Sequence, residues 1–328
     1  MKKKFILLLC LIAFSSCSKN DETEPAQTTS SSIDIFEDQE PVSSFSPTEN
    51  RLCEDLESVS VGTVKNDSLT ELSGLVYTSG NLWAHNDSGS KSGVFKLSEA
   101  GEDLGFFELD IAKSKETDFE DISIFENKIY LADIGNNINT DERASVQVYK
   151  FEIPETMIED FKTYELTYPD GARDAEAFFV DPVTGAFVII EKAIGLEVLL
   201  GSTADAGVYM VDPEESNVLK RVGKIDLSYL AEISTSPIPE SAKVSNVSGV
   251  ITGADISIDG SVIAIRTYRS VWLFPRNDNQ SIMEAFGNEP CEAPVGLEDQ
   301  GEAIALNSDT KSFFTISEGG NSKIYETK

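Results

Sequence analysis

The sequence predicts an all-β protein built as a single β-propeller, because one short phrase recurs five times along the chain. Each copy is an apolar run headed by a small or acidic pair, followed by a second apolar run that ends in a charged residue and by a further strand-like run. The copies begin at Ser73, Glu120, Glu176, Ala254 and Glu302. A repeat of roughly 40–55 residues made of several short strands is typical of propeller blades. We therefore expect five blades.

The spacing of the copies has one irregularity. Successive copies start 47, 56, 78 and 48 residues apart. The long interval contains residues 228–248, which include Pro237 and Pro239, and we interpret this segment as an insertion rather than a hidden blade. A sixth blade would require strands within this insertion.

The strand-like runs inside the copies predict how the ring closes. Blades one to three each contain four such runs, the fourth run of blade four is unclear around residues 282–286, and blade five contains three. Residues 56–64 alternate between polar and apolar side chains, so we predict that this N-terminal segment supplies the outer strand of blade five. Closure by a strand from the other end of the chain removes an exposed sheet edge.

The cysteines predict one disulfide. Cys10 lies in an apolar N-terminal run that is interpreted below as a secretion signal, and Cys17 follows that run as the predicted lipidation site. Cys53 and Cys291 therefore remain available for a disulfide. An even pair in an exported protein is typical of a disulfide bond. One of the two precedes the first repeat and the other precedes the last, so a bond between them would join the start of the chain to its final blade.

The N-terminal residues predict export and a lipid anchor. Three lysines precede the apolar run 5–14, which is the pattern of a secretion signal and is too short to span a bilayer. Ser15-Ser16-Cys17 resembles the lipobox of bacterial lipoproteins, in which the cysteine is lipidated. We therefore predict a signal peptide over 1–16 and a lipidated Cys17 that begins a flexible acidic tether over 17–52. The propeller domain would then span 53–328.

The charge of the chain restricts its partners. Removal of the three signal lysines leaves 23 basic residues against 57 acidic ones, a net charge of −34. Such a charge disfavours nucleic acid as a partner and favours cations or simple solubility. A lysine followed by acids after Cys17 resembles a surface-export signal, so we expect the protein at the outer membrane or cell surface, attached to the membrane through its lipid.

Overlaying the copies predicts acidic rings along the propeller axis, because the first strand of each blade lines the central channel. Glu120, Glu176 and Glu302 share one first-strand position, with Ser73 and Ala254 completing that ring. The ends of the second strands form another ring, which includes Arg266. With two aspartates that precede the glutamates, the predicted axial carboxylates are Asp87, Asp118, Glu120, Asp133, Asp174, Glu176, Glu191, Glu302 and Glu318.

Such a concentration of carboxylates allows three interpretations. Convergent oxygen ligands suit a calcium ion or another cation. The same side chains could instead cap the channel through hydrogen bonds to neighbouring blades. Paired acids could also hydrolyse glycosides, or hold a metal for phosphoester hydrolysis; in the second case the anion-binding candidates are Arg173, Lys192 and Arg266.

Two other kinds of catalytic site are disfavoured by the sequence. His85 is the single histidine, its neighbours are turn formers, and no GxSxG phrase is present, which argues against a serine hydrolase. One histidine cannot build a typical zinc site when the cysteines are already assigned.

Several phrases together carry a family resemblance: LSGL, LWAHNDSG, DFEDI, DIGNN, DAEA, TGADIS, RTY and QGEAIA. From Leu72 to the C-terminus the chain resembles exported bacterial β-propellers related in pattern to the SdiA-regulated and esterase-like-phytase groups. The resemblance implies a propeller with an acidic axial site that suits calcium. It transfers no activity, since one fold hosts many functions.

The sequence thus favours a membrane-anchored exported propeller that binds a small-molecule, glycan or protein ligand, with calcium in an acidic axial site. The alternative is a lipoprotein hydrolase that acts on phosphoesters or glycosides. No catalytic residue is assigned.

Overall fold

The computed structural model describes residues 52–87, 91–111, 117–136, 143–193, 205–235, 250–308 and 312–328. These residues form five antiparallel four-stranded sheets. The innermost strand of each sheet packs against the innermost strands of the two flanking sheets, which makes a closed ring. The predicted five-bladed propeller is confirmed. The predicted signal peptide, Cys17 and nearly all of the tether lie outside the described residues.

The strands follow the chain in blade order. Blade one contains β2 (Leu72–Thr78), β3 (Asn81–Asn86), β4 (Gly93–Ser98) and β5 (Asp103–Glu108). Blade two contains β6 (Phe119–Phe125), β7 (Lys128–Asp133), β8 (Val146–Glu152) and β9 (Phe161–Leu166). Blade three contains β10 (Ala175–Val180), β11 (Phe187–Glu191), β12 (Asp205–Val211) and β13 (Lys220–Asp226).

The last two blades depart from this simple order. Blade four contains β14 (Ile251–Ile256), β15 (Val262–Thr267), β16 (Val271–Pro275) and β17 (Cys291–Ala293). Blade five contains β18 (Gly301–Leu306), β19 (Phe313–Ser317) and β20 (Lys323–Thr327), and its outer strand is β1 (Ser58–Thr63). Helix α1 (Leu227–Ile233) follows blade three, and helix α2 (Ile282–Phe286) lies between β16 and β17.

Ring closure follows the sequence prediction. β1 pairs antiparallel with β20, from Ser58 opposite Thr327 to Thr63 opposite Lys323. Cys53 and Cys291 form the predicted disulfide, with their Cα atoms 6.1 Å apart. Cys291 begins the outer strand of blade four, so the bond ties the segment before β1 to blade four rather than to the final blade itself.

The structure locates the outer strand of blade four, which the sequence left unclear. The candidate run 282–286 is helix α2, because Ser281 and Glu284 form a reciprocal capping box that satisfies the exposed N–H groups of its first turn. The strand lies at 291–293 instead. Residues 236–248 of the predicted insertion are outside the described ranges, and the ranges that are described hold no sixth sheet.

Apolar side chains between neighbouring blades form the core. Between blades one and two, Trp83 packs with Ile122 and Leu131, and between blades three and four Trp272 packs with Phe179. Both tryptophans are buried. Each fully buried large apolar side chain contributes about 1.5–3 kcal/mol.

The connectivity defines two faces of the ring. We call the face at which the five innermost strands begin the upper face. Because strands alternate in direction within each blade, β1 and β17 both begin at the opposite, lower face, and Cys53 and Cys291 lie there. None of the helices in the described ranges has the length and apolar character that crossing a bilayer requires.

Candidate functional site

A β-bulge at the upper end of each innermost strand carries the central site residues. In blade two, Phe119 pairs with Asp133 and Asp121 pairs with Ala132, which leaves Glu120 as the extra residue. Bulges re-aim side chains and are common beside functional sites. Equivalent register shifts leave Ser73, Glu176, Thr252 and Glu302 in the corresponding positions of the other blades.

Blade four therefore corrects one sequence prediction. The overlay matched Ala254 to Glu120, because ADIS of blade four and EDIS of blade two share three letters. The strand register shows that Thr252 is the equivalent residue and that Ala254 lies two positions further on. Identical residue types were a poorer guide to structural equivalence than the position of the bulge.

The ring at the ends of the second strands also differs from the prediction. The residues opposite the first residue of each innermost strand are Asn86, Asp133, Glu191, Thr267 and Ser317. Asp133 and Glu191 were predicted there. Asp87 and Glu318 lie one residue after the ring position of their blades, and Arg266 lies one residue before it. In a strand, a shift of one residue turns a side chain to the other face.

The position after these residues defines a third ring at the upper face. Asp87, Ile134, Lys192 and Glu318 each donate a backbone N–H to the carbonyl of the residue just before their blade's innermost strand. In blade four the register gives Tyr268 the same place. The preceding residues themselves are Glu71, Asp118, Asp174, Val250 and Gln300.

Three of the nine predicted carboxylates converge in space. Asp87 of blade one and Asp118 and Glu120 of blade two each offer a carboxylate oxygen, and these three oxygens lie within 4.8 Å of one another. The Oε1 atom of Glu120 is buried and accepts no hydrogen bond. A three-carboxylate group of this kind could hold a metal ion.

Gly135 borders this group and explains how close the acids come to the backbone. A Cβ atom at this position would overlap Glu120 Oε1 and would lie 2.6 Å from Asp118 Oδ2. Absence of a side chain at residue 135 therefore permits the observed placement of both carboxylates. The sequence signal was the DIGNN phrase, in which Asp133 was a predicted axial carboxylate and Gly135 had no assigned role.

Electrostatics around the axis favour protonation or a bound cation. Burial, with the nearby charges of Glu176, Asp87 and Asp118, raises the pKa of Glu120 well above its ordinary value. Burial and the Glu176 charge raise the pKa of Glu302 to about 9, and burial and Glu71 raise the pKa of Glu318 to about 7. Like charges in a desolvated site produce shifts in this direction.

Lys192 neutralises the Glu176 carboxylate in blade three. Its amino group hydrogen-bonds to the carboxylate of Glu176 and lies 5.9 Å from the ring centroid of Tyr268. Burial lowers the pKa of Lys192, but the Glu176 carboxylate outweighs this effect and the net shift is upward. Burial raises the pKa of Glu176 to about 7, partly opposed by the Lys192 charge.

Other predicted site residues hold the backbone around the acids. Asp133 Oδ1 accepts the Asp118 N–H at 2.9 Å and also pairs with Arg143. Asp174 Oδ1 accepts the Asn136 N–H at 3.0 Å. Glu191 Oε2 accepts the Gly207 N–H at 2.9 Å. These three carboxylates therefore have structural partners.

Two of the three predicted anion-binding residues are engaged elsewhere. Arg266 is fully buried and pairs with Glu298 at 2.6 Å. Arg173 pairs with Asp170 and lies 3.5 Å from Glu191. His85 is also fully buried, and burial lowers its pKa to about 4, so it remains neutral at physiological pH.

Sequence reasoning missed several residues at the site. Gln300 donates through Nε2 to Glu302 Oε1 at 2.9 Å and also to Glu318. Tyr268 lies beside Lys192, and burial raises its pKa to about 12. Both residues occur in phrases of the family resemblance, QGEAIA and RTY, which was the available signal. Asp121 and Asp255, buried lower on the axis, were also missed.

Comparisons with known proteins assign no family to the chain. No protein-family model matches the chain, and no curated protein matches it. Similar solved structures include the PQQ-bound aldose sugar dehydrogenase of Streptomyces coelicolor, with 9% identity, a TM-score of 0.47, and coverage of 83% of this chain and 98% of that one. The glutaminyl cyclase of Myxococcus xanthus has 11% identity, a TM-score of 0.47, and coverage of 83% and 95%. The apo-form soluble aldose sugar dehydrogenase of Escherichia coli has 10% identity, a TM-score of 0.45, and coverage of 83% and 99%. We base no functional assignment on similarities this low.

Proposed function

We propose that the chain is an exported, lipid-anchored β-propeller that binds Ca²⁺ at Asp87, Asp118 and Glu120 and holds a ligand through that ion. The observation that carries the proposal is the Glu120 carboxylate, whose buried Oε1 atom accepts no hydrogen bond and which offers one of three carboxylate oxygens that lie within 4.8 Å of one another. A buried carboxylate oxygen without a donor is costly unless it is protonated or bound to a cation. Calcium prefers hard oxygen ligands of this kind.

The pseudo-symmetry of the blades supports one ion per chain. Each boundary between two blades has a position equivalent to this site. It combines the third-ring residue of one blade with two residues of the next blade, namely the residue that precedes its innermost strand and the bulge residue of that strand. Between blades two and three, Ile134 replaces the first carboxylate, and Lys192 already neutralises Glu176. Across the other three boundaries the sets are Lys192, Val250 and Thr252; Tyr268, Gln300 and Glu302; and Glu318, Glu71 and Ser73.

The ligand would complete the coordination of the ion. Calcium takes six to eight oxygen ligands, so three carboxylates leave positions for water, backbone carbonyls or a ligand. A small molecule, a glycan or a protein side chain could supply these oxygens. The surrounding negative charge disfavours phosphoesters, and the engaged Arg173 and Arg266 give the hydrolase alternative no additional support.

Export and anchoring rest on the sequence. The lipobox ending at Cys17 and the resemblance to exported SdiA-regulated and esterase-like-phytase propellers support an outer-membrane or cell-surface lipoprotein. The tether joins the domain before β1, at the lower face.

Calorimetric titration of the full chain with Ca²⁺, in detergent, tests the proposal. We expect one ion to bind the wild type, and Glu120→Gln to weaken binding by at least about tenfold, or about 1.4 kcal/mol. Glu302→Gln is the matched control, because Glu302 occupies the same bulge position in blade five but lies outside the three-carboxylate group. Absence of binding to the wild type, or equal loss in both variants, would contradict the proposal.

A further inference from the structure

Asp121, the residue after Glu120, makes contacts across the propeller axis. Its Oδ2 atom accepts the N–H of Phe178 in blade three at 2.8 Å and the N–H of Ala254 in blade four at 3.0 Å. Its Oδ1 atom accepts the N–H of Ile122 at 2.9 Å. The side chain is 1% exposed. One carboxylate therefore holds the innermost strands of three blades at a fixed separation.

The equivalent residue in every other blade is too small to do this. By strand register, Asp121 corresponds to Gly74, Ala177, Gly253 and Ala303. Four glycine or alanine residues around a narrow axis leave room for one larger side chain. That side chain belongs to blade two, the blade that also supplies Asp118 and Glu120 to the three-carboxylate group.

We propose that Asp121 is the positioning residue of the cation site: by binding backbone N–H groups of blades three and four, it fixes the strand that carries Asp118 and Glu120 against the rest of the ring. The proposal rests on the proposed function, since it assigns a role toward the same ion. Without Asp121, β6 loses its bonds to Phe178 and Ala254 just beside the bulge. Glu120 and Asp118 then no longer keep a fixed distance from Asp87, which belongs to blade one.

Asp255 provides an internal comparison. It is also buried on the axis, and it accepts the N–H of Leu306 in blade five and of Ile256 in its own strand, both at 2.8 Å. In blade two the equivalent residue is Ser123, whose hydroxyl accepts the Val180 N–H at 3.2 Å. Asp255 thus joins two adjacent blades, neither of which supplies a residue to the three-carboxylate group.

The test compares Ca²⁺ affinity among folded variants of the full chain. Asp121→Asn replaces one acceptor oxygen with an amide group, whereas Asp121→Glu keeps the carboxyl group and changes the geometry. Asp255→Asn is the matched control for loss of a buried axial carboxylate. Circular dichroism melting of each variant establishes that the titrated protein is folded. If Asp121→Glu does not fold, Asp121→Ser replaces it, because Ser123 shows that a hydroxyl can accept one such N–H.

We expect both Asp121 variants to bind Ca²⁺ at least about tenfold more weakly than the wild type, and Asp255→Asn to bind it within about threefold. Wild-type affinity in Asp121→Glu, or in Asp121→Ser if that variant replaces it, would overturn the positioning role and leave the cation site intact. Equal weakening by Asp255→Asn would reduce the effect to general destabilisation and would also overturn it. Failure of the wild type to bind would instead refute the cation site itself, and the role of Asp121 with it.

Discussion

Asp87 and Ile134 occupy equivalent positions in blades one and two, where each donates its backbone N–H to the carbonyl of the residue before its blade's innermost strand, at 2.7 and 3.1 Å. The next blade supplies an aspartate and a glutamate in both cases, so the side chain at this position is what differs. Asp87 lies close to Asp118 and Glu120. At the boundary between blades two and three, the corresponding acids are Asp174 and Glu176, the third-ring residue is the apolar Ile134, and Lys192 pairs with Glu176. This substitution of isoleucine for aspartate removes the first carboxylate from the boundary between blades two and three.

The raised pKa values predict an unusual pH dependence for the ion-free protein. The folded pKa of Glu302 is about 9, above its ordinary value, so the folded state binds more protons than the unfolded state between about pH 4.5 and 9. The stability contributed by Glu302 is therefore fully present below about pH 4.5 and is lost as the pH rises through this window. One pKa unit corresponds to about 1.4 kcal/mol, which shifts the melting temperature of a domain this large by roughly 3–5 °C.

Melting curves in EDTA at pH 5, 7 and 9 check this prediction. We expect the wild type to melt at least about 5 °C lower at pH 9 than at pH 5. Glu302→Gln should flatten the dependence, and the exposed substitution Glu155→Gln should not. A melting temperature that rises with pH in the wild type would show that these carboxylates are ionised in the folded state.

The disulfide predicts a large loss of stability on removal. Cys53 and Cys291 are 238 residues apart, and a bond that closes a loop this long restricts the unfolded chain strongly, typically by about 2–5 kcal/mol. The double variant Cys53→Ser, Cys291→Ser should melt at least about 5 °C below the wild type. Reaction of both cysteines with a thiol probe in denatured, unreduced protein would contradict the bond itself.

The lipobox predicts that membrane attachment depends on one sulfur atom. Cys17→Ala should abolish acylation and release the protein from the membrane fraction, because the predicted lipid is attached to the Cys17 sulfur. Metabolic labelling with a fatty-acid analogue and fractionation measure both effects. Cys10→Ala is the control and should remain acylated. Retention of label and of membrane attachment in Cys17→Ala would refute the assignment.

Blade number, ring closure and the disulfide were predictable because repeats, strand alternation and the number of cysteines can be read directly from the sequence. Strand alternation over residues 56–64 marks β1, and the parity of the remaining cysteines marks Cys53 and Cys291. Helix α2 was harder to predict, because its apolar residues also fit a strand. Only the Ser281–Glu284 capping box decides between a helix and a strand here.

The site was predictable as a set of acids but not as a geometry. Asp87, Asp118 and Glu120 were among nine candidates, and nothing in the sequence separates them from Glu176 or Glu302. Their convergence depends on which residue bulges in β6 and on contact between two blades. For the same reason Arg266 was misplaced: its shift of one residue relative to Thr267 is set by strand register, which a comparison of letters does not show.

The melting temperature of the full chain in Ca²⁺ and in EDTA tests the central claim most directly. A ligand that binds only the folded state stabilises it by about 2.7 kcal/mol at a hundred times its dissociation constant. We therefore predict that millimolar Ca²⁺ raises the melting temperature by at least about 5 °C in the wild type and by much less in Glu120→Gln. An unchanged melting temperature in the wild type would mean that the acids around Glu120 form a protonated, hydrogen-bonded plug, and the proposed cation site would be wrong.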